Sequence, residues 1–316
     1  MSATTIYRRT IVGSGLKAKQ QANNSKALRL AFFGCEVKGP YGPHKHTAEL
    51  FCDLIAASYS KVLSENETRN LELELFAASG DEFTLPSDLS TFDGVILPGS
   101  FSSAYQTDQE WILSLKEYIQ GTLVAKTVPT LGVCFGHQLY AHSFEDGSAR
   151  KCPSGPQAGR KTTALTPTGK AFFDLTDINA VSGLDLYYTH GDMVERLPPT
   201  GVSLGGNDPV PIQAAVYFSS PPQDDAAALL QANDENNKVI AVTFQAHPEF
   251  ASAEEQLQSL GEQTFCKTVN LMRDNGDLSE QDHSVALSDA ETSCKHVNQQ
   301  SLDAMVAAGK LLGWFR

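Results

Sequence analysis

TLGVCFGHQL (residues 130–139) sets a single cysteine between an apolar run and a glycine. VPTLGVC (128–134) reads as a compact buried strand, and FGHQL as the first turn of a helix. A strand that bends sharply into a helix at a nucleophile lifts that side chain above the sheet and sets the helix N-terminus beneath it. The backbone is cramped at such a bend, and Gly132 and Gly136 stand two before and two after Cys134. Backbone N–H groups at the helix start would favour a thiolate and any oxyanion formed beside it. The competing reading is a packing residue, since free cysteine is among the most buried residue types.

Working outward, LRLAFFG (28–34) is a strand, and HTAELFCDLIAASYSKVL (46–63) carries Leu50, Phe51, Leu54, Ile55 and Val62 at helical spacing. LELELFA (71–77) alternates leucine with glutamate, a strand with one wet face near a sheet edge. DGVILPGS (93–100) is a buried strand stopped by Pro98 and Gly99. In TDQEWILSLKEYIQG (107–121), Thr107 and Glu110 predict a capping box and Gly121 the helix end. Strands alternating with helices predict an α/β fold with a doubly wound, mostly parallel sheet. Beyond residue 150, TTALTP, DLYYTH, QAAVYFS and VIAVTFQAHPE are strands between turn-rich segments, a mixed or antiparallel extension of the same sheet. DENN near 234–237 reads as a surface turn, QDHSVALSDAETSCKH as a loop or exposed helix, and SLDAMVAAGKLLGWF (301–315) as a closing helix. The expected organisation is a flexible basic extension (1–27), one catalytic-type domain (28–260) and a helical segment packed on it (261–316).

The chain has 316 residues, 41% hydrophobic and 19% charged, and no apolar run reaches the roughly 18 residues of a membrane span. A formal net charge of −13 and the lack of a basic stripe argue against nucleic acid. Cysteines 35, 52, 134, 152, 266 and 294 are scattered, which suits reduced thiols and a cytoplasmic setting. Residues 1–35 carry Arg8, Arg9, Lys17, Lys19, Lys26 and Arg29 without an acid, a bias shared by disordered tails and mitochondrial presequences.

A thiol nucleophile needs a base, and the base an orienting partner. FQAHPEF (244–250) offers His247 and Glu249, two apart at a strand end and so on one face, with Pro248 stiffening the link. Glu249 would hold the far imidazole nitrogen and fix its tautomer. HPE also reads as a plain strand-terminating turn. His44 and His46, like Cys294 and His296, lack a second ligand pair for a metal, and Gly13-x-Gly15 follows no strand, so no metal or nucleotide cofactor is expected.

GVCFGHQ, with QAHPEF downstream and VILPGS upstream, resembles the class I glutamine amidotransferase family and its GxCxGxQ motif. PGSFSSAYQTDQEWI, QAGRKTTALTPTGKAFF (157–173) and YYTHGDMV (187–194) are similar to the stand-alone branch that includes plant γ-glutamyl peptidases and fungal relatives. The resemblance covers roughly 28–260 and departs at Thr189 (commonly serine), at AHSFEDGSARKCPSGP (141–156) and at GPYGPHKH (39–46). It implies a Cys–His–Glu triad of Cys134, His247 and Glu249, an oxyanion hole from the Gly99 and Phe135 amides, and substrate contacts from Gln138 and around His190. The plain alternatives are a helix-surface role for Gln138 and a loop role for His190.

Three functions follow. The first is a hydrolase of γ-glutamyl amide bonds, in glutathione or its conjugates, through a thioester. The second is a glutaminase subunit feeding ammonia to a separate synthetase, marked by an apolar patch at the mouth of the site. The third is a non-catalytic binding protein with the same fold. The expected partners are a small γ-glutamyl molecule and, in the second case, a synthetase, with neither nucleic acid nor membrane.

Overall fold

The computed structural model describes residues 5–13, 26–65, 67–175, 183–223, 225–232, 237–251 and 260–315. Strand β1 (Thr5–Val12) is followed by β2 (Leu28–Gly34), helix α1 (His44–Ser60), β3 (Thr68–Ala77), β4 (Gly94–Leu97) and α2 (Glu110–Tyr118). Next come β5 (Thr130–Val133), α3 (Phe135–His142), β6 (Ser148–Lys151), β7 (Gln157–Leu165), α4 (Pro167–Asp174), β8 (Gly183–His190) and β9 (Asp192–Arg196). The chain closes with β10 (Gly201–Asn207), β11 (Val210–Phe218), α5 (Ala226–Ala232), β12 (Val239–Phe244), α6 (Leu260–Asp274) and α7 (Glu280–Leu311).

Ten strands form one sheet in the order β1-β3-β2-β4-β5-β12-β11-β10-β7-β8. β3, β2, β4, β5 and β12 are mutually parallel, and β11, β10, β7 and β8 extend them antiparallel. The parallel strands are apolar on both faces because helices cover both. Along β2, Leu30 and Phe32 pack into one core layer while Ala31 and Phe33 pack into the opposite one. Brought to the C-terminal ends of adjacent strands, Leu97, Val133 and Phe244 are each followed by a loop that carries chemistry.

Three expectations need correction. Residues 5–12 of the anticipated flexible extension form edge strand β1, antiparallel to β3. Carboxylates on β3 and α1 explain this: Arg8 meets Glu72 of β3 at 2.9 Å, and Arg9 meets Asp53 of α1 at 2.8 Å. Gly13 therefore directly follows a strand, against the expectation that Gly13-x-Gly15 follows none; residues 14–25, with Gly15, lie outside the described residues. Secondly, no Thr107 capping box forms, because α2 starts at Glu110 with Gln109 as an N-cap that makes no side-chain bond. Thirdly, Gly121 does not end that helix, which continues as a π-turn through Ile119–Val124 with Ile119 and Leu123 buried. The apolar anchors outweigh the glycine there.

QDHSVALSDAETSCKH is helical, the first half of the 32-residue α7, which packs on α1, β7 and β8. The DENN turn falls largely on residues 233–236, outside the described residues. No helix among the described residues is long and apolar enough to cross a membrane.

Candidate active site

Cys134 joins β5 to α3 with φ 51° and ψ −106°, one of two non-glycine residues at positive φ among the described residues. Such strain costs on the order of 1–3 kcal/mol and persists only where neighbours over-determine it. Here they do: the Cys134 amide donates to Phe244 at 2.8 Å, and the Gly136 amide donates to Pro98 at 3.1 Å. The flanking glycines make the bend possible. A Cβ at Gly136 would lie 2.0 Å from the Leu97 carbonyl oxygen, and one at Gly132 would meet Thr243 at 2.8 Å.

His247 meets this cysteine, and two further rings and one carboxylate gather around the imidazole. His247 lies beyond the end of β12, its amide held by the Tyr187 carbonyl at 2.9 Å, and Pro248–Phe250 form a 3-10 turn. That turn, not strand alternation as expected, brings Glu249 back under the imidazole, Oε1 to Nδ1 at 2.7 Å, with both side chains fully buried. Burial disfavours the imidazolium, but the charges of Glu249 and then Cys134, together with hydrogen bonds to both, prevail and push His247 up to about 10. Phe250 and Tyr41 lie nearly parallel to the imidazole, at 4.6 Å and 5.2 Å between centroids. Tyr41 comes from the GPYGP loop before α1, and its hydroxyl lies 3.2 Å from His247 Nε2 and 2.6 Å from Thr189 Oγ1.

Gly99 follows β4, where a Cβ would stand 3.1 Å from His247 Cε1 and 3.6 Å from Cys134 Cβ. The next residues are held by Glu36, whose Oε2 accepts from Ser100 Oγ at 3.2 Å and from the Phe101 amide at 3.1 Å. Phe135 opens α3, so its amide lies in the helix's first turn, where no intrahelical acceptor exists. The Gly99 loop and the α3 N-terminus thus flank the sulfur from two sides.

Gln138 is buried, not a surface residue. Its Nε2 donates to the Asp192 carbonyl at 3.0 Å and to Gln245 Oε1 at 3.1 Å, so its own oxygen is the atom left to accept. His190 ends β8, where it is no loop residue, and its Nδ1 donates to the same carbonyl at 2.8 Å. Burial pushes His190 down to about 3, so the ring is neutral; its Nε2 accepts from no group among the described residues. Gln138 and His190 both line one cavity, where the Gln138 oxygen suits a cationic amine. This cavity, of about 190 Å³, is lined among others by Cys134, Gln138, His190, Asp192, Lys151, Asn275 and Asp277.

The glutamine amidotransferase class-I family pattern matches residues 53–265. The chain belongs to this family. It is 30% identical over 168 residues to a glutamine amidotransferase-like protein of Penicillium rubens, covering 52% of this chain and 58% of that protein. It is 26% identical over 167 residues to gamma-glutamyl peptidase 2 of Arabidopsis thaliana, covering 53% of this chain and 63% of that one. The chain thus spans less than two thirds of the length of these curated relatives. A glutamine amidotransferase crystal structure from Thermotoga maritima superposes with a TM-score of 0.59 at 17% identity, over 89% of this chain and 99% of that one, a likeness of fold.

The other singled-out residues do not join the site. His44 Nε2 meets Ser79 Oγ at 3.2 Å, His46 Nε2 meets Thr264 Oγ1 at 2.7 Å, and His296 pairs with Asp185 at 2.9 Å. The Cys294 side chain lies outside the described residues. Among the described residues no three His, Cys, Asp or Glu side chains cluster as a metal site. Sequence reasoning missed Tyr41 and Glu36. A tyrosine between two glycine-proline pairs was the available signal for the first; nothing local marked the second.

Proposed function

We propose that the chain hydrolyses γ-glutamyl amide bonds with Cys134 as nucleophile, and that its substrates carry a leaving group larger than ammonia. The observation that carries this reading is the strained Cys134 elbow beside a buried, Glu249-paired His247, at the base of a cavity that extends to Lys151, Asn275 and Asp277. Glutamine releases only ammonia, which needs no such wall. Lys151 and Asp277 have no ion-pair partner among the described residues, and so are free to meet the charges of a departing amino acid or peptide.

The chemistry follows from the geometry. Gln138 Oε1 receives the α-ammonium of the glutamyl group, beside His190 in the cavity wall. Cys134 sulfur attacks the γ-carbonyl, and the oxyanion settles on the Gly99 and Phe135 amides, each worth roughly 3–4 kcal/mol in comparable sites. As the C–N bond breaks, His247 gives its Nε2 proton to the leaving amine. Water, deprotonated by the now neutral imidazole, cleaves the thioester and releases glutamate. Glu249 keeps the ring oriented throughout.

A second reading, ammonia supply to a synthetase, is favoured by one feature: Phe101 lines the cavity yet is 45% exposed, an apolar contact at its mouth. One experiment separates the two. Purified chain is incubated with glutamine, glutathione and an S-substituted glutathione, and free glutamate is measured beside a Cys134→Ala control. Turnover of the glutathiones by the isolated chain supports the hydrolase. Turnover confined to glutamine favours ammonia supply, and equal glutamate release by Cys134→Ala would remove Cys134 from the chemistry.

A further inference from the structure

Tyr41 lies within hydrogen-bond distance of the wrong atom for a packing residue. The ring is buried, stacks on His247 and contacts Phe101 at 4.8 Å between centroids, which any aromatic could do. Its hydroxyl, however, lies 3.2 Å from Nε2, the nitrogen on the Cys134 side, since Nδ1 is taken by Glu249. The same hydroxyl is 2.6 Å from Thr189 Oγ1, on the strand that also delivers His190, and Thr268 of α6 is a further hydrogen-bonding neighbour. A phenol between a titrating imidazole and a second hydroxyl can donate in one direction and accept in the other.

We infer that Tyr41 is a positioning residue for His247, holding Nε2 on the sulfur in both protonation states through a hydroxyl pair shared with Thr189. This rests on the Cys134–His247 chemistry proposed above. With His247 protonated, Nε2–H points between sulfur and Tyr41 Oη, and the Tyr41 O–H donates to Thr189 Oγ1. Once the proton has left with the amine, Nε2 carries a lone pair. The Tyr41 O–H then turns to donate to it, and the Thr189 hydroxyl donates to Tyr41 in exchange. No proton leaves Tyr41; burial and the nearby Cys134 charge hold its phenol well above the ordinary range, so it stays neutral throughout. The ring keeps one orientation while water attacks the thioester, the step at which an undirected imidazole would swing away.

The test compares Tyr41→Phe, which keeps the stack and removes only the hydroxyl, with Thr189→Val and Thr189→Ser. Three readouts are taken on the full chain: kcat and KM for glutamate release, the 15N shift of His247 Nε2, and the pH profile of Cys134 alkylation by iodoacetamide. Tyr41→Phe should lower kcat about tenfold with KM within about twofold, from the loss of one hydrogen bond to a charged group. It should also move the Nε2 shift and the alkylation profile. Thr189→Val should move all three in the same direction, and Thr189→Ser should restore them. Wild-type values for Tyr41→Phe in all three readouts would overturn the inference. If the wild-type chain releases no glutamate, the hydrolase reading fails; the NMR shift and alkylation profile then decide the Tyr41 inference by themselves, and unchanged values overturn it. Should Tyr41→Phe not fold, Thr189→Val against Thr189→Ser supplies the same comparison.

Discussion

Glu249→Gln isolates the contact that organises the site. Its carboxylate meets His247 Nδ1 at 2.7 Å with both side chains shielded from water, and its second oxygen has no partner among the described residues. The imidazolium is therefore the one counter-charge the site offers this carboxylate. A hydrogen bond to a charged group is worth about 1.5–3 kcal/mol net. At 1.36 kcal/mol per pKa unit, that corresponds to a fall of about one to two units in His247. Glutamine can still accept from Nδ1–H, so ring orientation survives and the charge is the variable removed. With Glu249 gone, burial opposes the imidazolium with only Cys134 against it, and His247 should drop from about 10 towards neutrality. The assay is a 15N-histidine NMR titration, with His247→Asn assigning the resonance among the eight histidines. If proton transfer limits turnover, kcat falls about 10- to 150-fold by the same energy, with KM little changed. A His247 titration midpoint that stays within half a unit of wild type in Glu249→Gln would refute the reasoning.

Other outcomes follow from the same contacts. Because His247 is raised from its ordinary 6.5 to about 10, its contribution to stability is complete below about pH 6.5 and is lost progressively as pH climbs from there through about 10; thermal melts should weaken steadily across that window and level off above it, a loss absent in His247→Asn. Gly136→Ala forces a Cβ to 2.0 Å from the Leu97 carbonyl and should lower the melting temperature by several degrees or prevent folding. Gly121→Ala, with nothing within 4 Å, should be neutral or stabilising by about 0.4–1 kcal/mol, and equal damage from both would contradict the close-approach argument. Lys151→Met should raise KM for a γ-glutamyl peptide with a free carboxylate more than for its amide; equal changes for the two would take Lys151 out of leaving-group recognition.

Much of the fold was legible because the parallel strands announce themselves locally. LRLAFFG, GVIL, TLGV and VIAVTF are apolar on both faces, and glycine or proline ends the first two. β1 was not legible. TIYRRTIV is ordinary until Glu72 of LELEL comes opposite Arg8 and Asp53 of α1 meets Arg9, matches between residues more than forty apart in the chain. The π-turn after α2 was not legible either: the burial of Ile119 and Leu123 carried the helix past Gly121, where single-residue preference had pointed to an end.

The candidate site divides along the same line. Residue type and spacing alone marked Cys134 between its glycines, and His247 with Glu249 beside it, because a tight bend tolerates few residues and the HPE pair is adjacent in the chain. Only the tertiary structure decided that Gln138 is buried with its amide nitrogen committed, that His190 is neutral with a free acceptor, and that Tyr41 reaches the imidazole from a loop two hundred residues earlier. Those properties are set by which groups share a small volume shielded from water. Burial and the direction of a hydrogen bond belong to that volume, and no stretch of chain carries them by itself.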